Sequence, residues 1–262
     1  MSLVTIAVPD RVARINPVAK LAVSLVLAVA LVISIDPVSA GVALLAELAC
    51  LPWLGVAVPV VLRRTAALWI AAPLGALTIL LYGEASGRTH VQFLLVHITD
   101  GSIELAIATA LRILAIALPS VLLLSTVDPT ELADALAQVL RLPARFVLGS
   151  LGAVRLVGLI GQDWRSLELA RRARGVADRG RIRSLAARVF GVLVLAIRRG
   201  TALATAMEAR GLGAPGRRTW ARDSRLRTAD AAFVAVGLAI AAAAVTAAVI
   251  TGAWNPIWGV RG

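Results

Sequence analysis

Five apolar stretches, bounded by prolines and charged residues, constrain the fold of this chain more than any other feature. Each is close to the length of about 20 residues that a helix needs to cross a bilayer. They cover residues 18–35, 38–62, 66–82, 103–127 and 231–253. Because 59% of the 262 residues are hydrophobic, the composition is that of a membrane protein. We predict an all-α polytopic membrane protein with about five transmembrane helices.

The distribution of arginine predicts the orientation of these helices. Region 128–228 contains 19 Arg and only 8 acidic residues, and the short segments before residue 21 and at 63–64 are also basic. The opposite side of the predicted membrane receives only Arg88 and Arg261. Since basic residues collect in cytoplasmic segments, the N-terminus is expected inside and the C-terminus outside.

This pattern divides the chain into three parts. Residues 1–127 form an N-terminal transmembrane region with four spans, 128–228 form a cytoplasmic domain, and 229–262 hold the last span and a tail. The cytoplasmic domain is predicted to be helical, because Asp128-Pro129-Thr130-Glu131 is a typical helix start. Three amphipathic runs follow, at 143–160, 163–174 and 185–210.

The last amphipathic run is predicted to be one long helix with an apolar face and an arginine stripe. Arg188, Arg199 and Arg210 are spaced by 11 residues, so each is rotated by only about 20° from the one before. The middle of the run, 189–197, is apolar nearly all round. We expect that part to be buried against other helices or in the membrane interface.

Several kinds of chemistry lack the residues they need. The single lysine, Lys20, has no phosphate-binding loop around it, so this chain has no ordinary Walker A site. Cys50 is the only cysteine, and His90 and His97 lie in one predicted outer loop with no catalytic signature. We therefore predict no catalytic residue, no metal site and no cofactor. The apolar spans also argue against nucleic acid as a partner.

Two features within the spans leave alternatives open. Glu47 and Arg112 are charges inside predicted spans, where charged side chains are usually paired or face a cavity. They pair with each other, or each packs separately at a kink or a protein interface. Gly237 and Ala241 have a small-xxx-small spacing, which suits close packing against another membrane subunit or within the chain.

Two Ala-Arg-Gly triplets, 36 residues apart, stand out in the basic domain. They are Ala173-Arg174-Gly175 and Ala209-Arg210-Gly211. One interpretation is structural, since Arg in the last turn of a helix and Gly just after it form an ordinary C-terminal cap. Their surroundings suggest more. Residues 166–213 combine an Ala-Arg-Gly end, a basic stretch, an apolar helix and the run Ala206-Met207-Glu208 before the second triplet.

This arrangement resembles the transmembrane T component of energy-coupling factor transporters, the prokaryotic importers of vitamins and transition metals. Asn16-Pro17-Val18-Ala19-Lys20 is similar to the family's Asp-Pro-x-x-Lys entry to the first span, with Asn in place of Asp. The resemblance implies a non-catalytic subunit in the cytoplasmic membrane. Its partners would be two ATPase subunits and a small membrane substrate-binding subunit.

The resemblance also implies roles for individual residues. Arg174 would engage one ATPase and Arg210 the other, since a guanidinium presents a donor fork to a groove. The small residues Ala173, Gly175, Ala209 and Gly211 would permit close approach. Arg171, Arg199 and Glu208 would support the coupling helices. Glu208 would order the helix end, pair with Arg199 or another basic neighbour, or contact a partner directly.

Two rival functions differ in what they require. A conventional ABC importer permease would show a single coupling loop between spans instead of two Arg-ended helices. An integral membrane enzyme would show polar catalytic residues clustered at one membrane depth. The sequence favours the coupling subunit over both, and it does not identify the transported vitamin or metal.

Overall fold

The computed structural model describes residues 10–55, 58–83, 89–93, 96–175, 180–214 and 219–256. The described residues form ten helices and one two-stranded antiparallel hairpin, which confirms the predicted all-α class. In chain order, the elements are α1 (Asp10–Ala13), α2 (Pro17–Ile33), α3 (Pro37–Leu54), α4 (Val58–Arg64), α5 (Leu68–Tyr82), β1 (Thr89–Phe93), β2 (Val96–Thr99), α6 (Asp100–Leu124), α7 (Pro129–Gln138), α8 (Ala144–Ala173), α9 (Arg181–Ala209) and α10 (Thr228–Ile250).

The chain divides into two compact units. The membrane unit comprises Met1–Asp128 and Leu226–Gly262, and the helical unit comprises Pro129–Arg225. In the membrane unit, α2, α3, α6 and α10 pack against one another around small apolar clusters. Alanines at the centre of these clusters are fully buried, so the helices approach closely.

The entry to α2 is fixed by hydrogen bonds to the start of α10. The side chain of Asn16 caps α2 by accepting from the Val18 N–H at 3.0 Å, and Pro17 occupies the first turn. The Asn16 N–H donates to Asp230 Oδ1 at 2.7 Å. Lys20 is 1% exposed and donates to the Thr126 hydroxyl at 3.0 Å. The Asn-Pro-x-x-Lys segment therefore joins the first, fourth and last long helices of the membrane unit.

The predicted span 38–62 differs from the structure, which has two helices there. Gly55 ends α3 in a left-handed conformation, with φ of 70°, and its N–H donates to the carbonyls of Leu51 and Pro52. The α4 helix then begins at Val58. Pro52 and Pro59 interrupt the apolar sequence of this predicted span, but Gly55 is the residue that allows the chain to leave the helix.

The predicted outer loop contains the hairpin, and this is a second correction. His90 lies in β1 and His97 in β2, two antiparallel strands that pair Phe93 with Val96 and Gln92 with His97. Alternating β-branched residues between 89 and 99 are the signal in favour of strands that the loop prediction passed over.

Contacts of Gly237 decide between the two interpretations of the small-residue pair in α10. A Cβ on Gly237 would lie 2.8 Å from Val23 Cγ1 of α2. Ala241 is 7% exposed and belongs to the same cluster as Val23 and Leu27. The small residues therefore serve packing within this chain, because they let α10 approach α2.

In the helical unit, α7 begins at Pro129, as the capping pattern predicted. The two amphipathic runs predicted at 143–160 and 163–174 are one continuous helix, α8, because nothing at 161–162 breaks it. Trp220 packs with Leu136 and Leu151 against the buried cluster between α7 and α8. This cluster fixes the start of α8 within the unit.

Five described helices are long and apolar enough to cross a membrane by length and composition, namely α3, α6, α8, α9 and α10. The number agrees with the prediction, but the membership differs. The predicted spans 18–35 and 66–82 correspond to the shorter apolar helices α2 and α5. Conversely, α8 and α9 lie in the region predicted to be cytoplasmic.

Candidate functional site

Each Ala-Arg-Gly triplet ends a long helix in the same backbone conformation. Ala173 and Ala209 are the last helical residues, and Arg174 and Arg210 follow with φ of −87° in both cases. The glycines are left-handed, with φ of 65° at Gly175 and 77° at Gly211. Glycine adopts this conformation without strain, so the cap requires glycine at the third position of each triplet.

The second triplet completes a Schellman motif. The Gly211 N–H donates to the Glu208 carbonyl at 2.9 Å, and the Leu212 N–H donates to the Met207 carbonyl at 2.9 Å. At the first triplet, the Gly175 N–H makes the corresponding bond to the Arg172 carbonyl at 3.0 Å. Backbone groups are thus satisfied locally, and the exposed Arg174 and Arg210 side chains are not needed to cap the helices.

The two triplets lie at opposite ends of one antiparallel helix pair. Glu168 of α8 lies near Arg188 of α9, whereas Gly152 near the start of α8 meets Leu203 and Met207 near the end of α9. The contacts therefore run in opposite directions along the two helices. At a rise of about 1.5 Å per residue, Arg174 and Arg210 stand roughly 40 Å apart along the pair. The structure does not bring them into one site.

An ion pair inside the helix pair involves one of the predicted supporting residues. The Arg199 guanidinium donates to the Asp163 carboxylate. The Asp163 side chain is only 12% exposed, whereas the Arg199 side chain is 40% exposed. Glu208 does not pair with Arg199, because it is exposed on the last turn of α9, nine residues farther along and on the opposite side of the helix. Its roles in ordering the helix end or pairing with another basic neighbour stay predictions.

Arg188 also turns toward α8. Its guanidinium lies over the Trp164 ring, 4.9 Å from the ring centroid, and one of its nitrogens is 3.9 Å from Glu168 Oε2. Glu168 in turn pairs with Arg172 at 2.6 Å. Arg188 and Arg199 of the predicted stripe thus hold α9 against α8. Arg210, the third residue of the stripe, lies just after the end of α9. The roles of Asp163 and Trp164 were not predicted from the sequence, although Asp163 is the one acid in the stretch 146–164.

Close approach of the two helices depends on glycines. A Cβ on Gly152 would lie 2.9 Å from Leu203 Cδ2, and one on Gly191 would lie 3.2 Å from Leu167 Cδ1. Other α8 glycines, such as Gly158, have open space around them. The contact is therefore specific to two points along the pair.

The apolar face of α9 is exposed within the described chain. Leu185, Val189, Leu193 and Ile197 fall on one side of the helix and are each about half exposed. Within the described chain no helix covers this face, so burial of 189–197 in the membrane interface or against helices of a partner stays a prediction. This face lies beside the side of α9 that contacts α8, which bears Arg188, Val192 and Arg199. An apolar surface of this kind is typical of an interface with a partner or with lipid.

The remaining predicted residue, Arg171, lies in the last turn of α8 with Arg172. Its Nε is buried and has no hydrogen-bond partner among the residues described. Together with Arg174, these residues make the C-terminal end of α8 strongly basic, as suits the negative end of the helix dipole. Their guanidinium groups favour an acidic or carbonyl-rich partner.

The two charges in the membrane unit do not pair with each other. Arg112 Nε donates to the Leu31 carbonyl at 2.7 Å. Glu47 is 6% exposed, and neither of its oxygens has a hydrogen-bond partner in the part of the chain that the structure describes. The two residues pack separately. Among the described residues, no three or more His, Cys, Asp or Glu side chains lie close enough together to hold a metal ion.

Comparison with known proteins gives two matches. A family model described as CbiQ, cobalt transport protein, matches residues 11–219. The energy-coupling factor transporter transmembrane protein EcfT of Limosilactobacillus fermentum is 28% identical to this chain over 181 residues. That alignment covers 64% of this chain and 67% of the relative. The family model covers both Ala-Arg-Gly triplets.

Proposed function

The chain belongs to the CbiQ family of cobalt transport proteins, and on that premise we propose that it is the transmembrane coupling subunit of an energy-coupling factor importer. In this role it catalyses nothing itself. Two cytoplasmic ATPase subunits hydrolyse ATP, and a small membrane subunit binds a vitamin or a transition metal ion. The chain transmits movement from the ATPases to that substrate-binding subunit.

The observation that carries this proposal is the pair of matching helix ends. Arg174 and Arg210 have the same backbone conformation, are both exposed, and stand at opposite ends of one helix pair. Because they are roughly 40 Å apart by helix rise, they suit two separate grooves and not a single one. One groove on each ATPase subunit meets this requirement.

The helix pair also suits the transmission of movement. The Asp163–Arg199 ion pair and the glycine contacts tie α8 to α9, so a displacement at one Arg-bearing end is carried along the pair. When ATP closes the two ATPases, the helix ends move with them. The substrate-binding subunit then reorients and releases its cargo inward.

We place residues 128–228 on the cytoplasmic side, although α8 and α9 are long enough to span a bilayer. Both helices carry charges along their length, among them Arg155 and Arg165 on α8 and Arg188 and Arg198 on α9. Charges repeated through a helix are costly in hydrocarbon. The exposed apolar face of α9 is accordingly assigned to a membrane subunit or the membrane interface. The N-terminus lies inside and the C-terminus outside in the prokaryotic cytoplasmic membrane.

A pull-down in detergent tests the proposal. Tagged wild-type chain is expected to recover two ATPase subunits and a small membrane protein, identified by mass spectrometry. The double variant Arg174→Ala, Arg210→Ala is expected to lose the ATPases and keep the small membrane protein. The matched control, Arg165→Ala with Arg198→Ala, removes the same charge from exposed positions on the same two helices. Equal recovery of ATPases with the double variant and the control would mean that the triplets are only helix caps.

A further inference from the structure

A cavity of about 330 Å³ lies in the membrane unit, among α2, α3, α6 and α10. Its volume falls at the lower end of the range for small-molecule sites, about 300–1,000 Å³. The walls are almost wholly apolar and include Val23, Leu27, Leu118, Phe233 and Ile240. A cavity with such walls accepts a hydrocarbon group.

One charged side chain lines this cavity. Glu47 of α3 is 6% exposed, and both of its carboxyl oxygens are buried without a hydrogen-bond partner among the described residues. A buried carboxyl group within a membrane span is costly unless something donates to it. Arg112, the other charge predicted within a span, donates to the Leu31 carbonyl and does not pair with Glu47.

The cavity wall is short of hydrogen-bond donors. Pro119, which faces the same space, has no N–H and cannot donate to the Ala115 carbonyl four residues earlier. Among the lining side chains, only Cys50 and Trp53 carry hydrogen on a heteroatom. A thiol is a weak donor, and Trp53 is 84% exposed. What would complete the site is therefore a donor from outside the chain.

We propose that this cavity binds a hydrophobic organic cation, a membrane-partitioning amine whose ammonium group pairs with Glu47. Its hydrocarbon part lies against the apolar walls supplied by α2 and α10. A cation is supported because it complements the Glu47 carboxylate, and a hydrocarbon tail is supported because the rest of the cavity wall is apolar. The site is independent of the coupling function, because it lies wholly in the membrane unit and uses none of the triplet residues.

Cys50 provides a native reporter for this site. It is the only cysteine in the chain, lines the cavity, and is free. The experiment measures the rate at which N-ethylmaleimide alkylates Cys50 in the full chain, in nanodiscs of phosphatidylcholine, by intact-protein mass. Decylamine is the probe, and decanol, which partitions into the bilayer but carries no charge, is its control.

Decylamine is expected to slow alkylation of the wild-type chain about tenfold or more, the effect of one charged hydrogen bond, and decanol much less. In Glu47→Gln the amine should lose its advantage over decanol. In the control variant Glu104→Gln, which neutralises an exposed carboxyl of α6, the advantage should remain. Ala49→Trp, which fills the cavity from an exposed lining position and leaves Glu47 intact, should abolish protection.

Three results would overturn the proposal. Equal protection of wild type and Glu47→Gln by decylamine would show that the carboxyl group is not used. Equal protection of wild type by decanol and decylamine would show that no cation is required. Protection of Cys50 by a copurified membrane subunit, with no effect of the amine on the isolated chain, would assign the site to a side chain of that partner.

Discussion

At both triplets, the arginine is the last residue near helical geometry, and the glycine after it turns the chain away. The backbone account of these glycines is complete, since φ of 65° and 77° excludes other residues without strain. The alanine and the arginine have no such explanation, because the backbone bonds of the cap do not involve their side chains. A requirement for glycine is thus structural, whereas a requirement for arginine points to a partner.

Replacing glycine by alanine should have opposite effects on stability at the end of α9 and in its interior. Gly211→Ala should lower stability by about 1 kcal/mol, because an L-residue is strained in the left-handed region. Gly200→Ala should raise stability by about 0.5–1 kcal/mol, because Gly200 is in the helix interior with open space around its Cβ position. Thermal unfolding of the purified variants in detergent checks this. A shift in the same direction for both would contradict the assigned cap.

At this scale the sequence indicated the caps correctly but not the partners of the charged side chains. The spacing of Arg188, Arg199 and Arg210 identified a stripe, and periodicity alone cannot say what a stripe faces. The structure shows that Arg188 and Arg199 face α8 through Trp164 and Asp163. Contacts between distant segments depend on how two helices cross, which a single sequence does not specify.

At the scale of elements, α8 and α9 form a pair held by a few specific contacts. Asp163 is largely buried between them and pairs with Arg199, so this interaction should contribute more than a surface ion pair. Gly152 and Gly191 allow the two helices to approach at either side of it. A rigid pair is what the transmission of movement requires.

A double-mutant cycle on Asp163→Ala and Arg199→Ala should give a coupling energy of about 1 kcal/mol or more in the free energy of unfolding. The control cycle uses Asp223 and Arg225, whose side chains are 69% and 83% exposed. Its coupling should be close to zero, because solvent screens an exposed pair. Equal coupling in the two cycles would mean that Asp163 and Arg199 do not hold the helices together.

Helix boundaries show where sequence reasoning reaches its limit at this scale. The start of α7 at Pro129 was predicted from its capping pattern, and the continuity of α8 through residue 162 was not. Amphipathic periodicity changes along α8 because its two halves face different neighbours, and this change resembles a break. The end of α3 at Gly55 was not predicted either, because the apolar sequence continues across Gly55 to residue 62 without a change of pattern.

At the scale of the whole molecule, the first and last long helices close the membrane unit through one carboxylate. Asp230 is 2% exposed and accepts from the backbone N–H groups of Asn16 and Arg227, each at 2.7 Å. It thereby joins two chain segments 214 residues apart. The apolar pattern predicted both helices, but a hydrogen bond over this distance leaves no local signal.

Removing this carboxylate should destabilise the membrane unit. Asp230→Ala leaves the buried N–H of Asn16 and the partly buried N–H of Arg227 without their acceptor, and about 2 kcal/mol or more of stability should be lost. Asp223→Ala, at an exposed position, should change stability by less than about 0.5 kcal/mol. Thermal unfolding in detergent again gives the comparison. A small effect of Asp230→Ala would mean that the junction of α2 and α10 rests on apolar packing alone.

If Arg174 and Arg210 each engage a separate ATPase subunit, their contributions to binding should be additive. The measurement is the dissociation constant of the purified chain for its ATPase pair, in wild type, both single Arg→Ala variants and the double variant. Each single change should weaken binding by about 2 kcal/mol, roughly thirtyfold. Because the two side chains stand roughly 40 Å apart, the double variant should show the sum of both losses. Separate engagement would be contradicted if the losses were no larger than those of Arg165→Ala with Arg198→Ala. It would also be contradicted if the double variant bound no more weakly than one of the single variants.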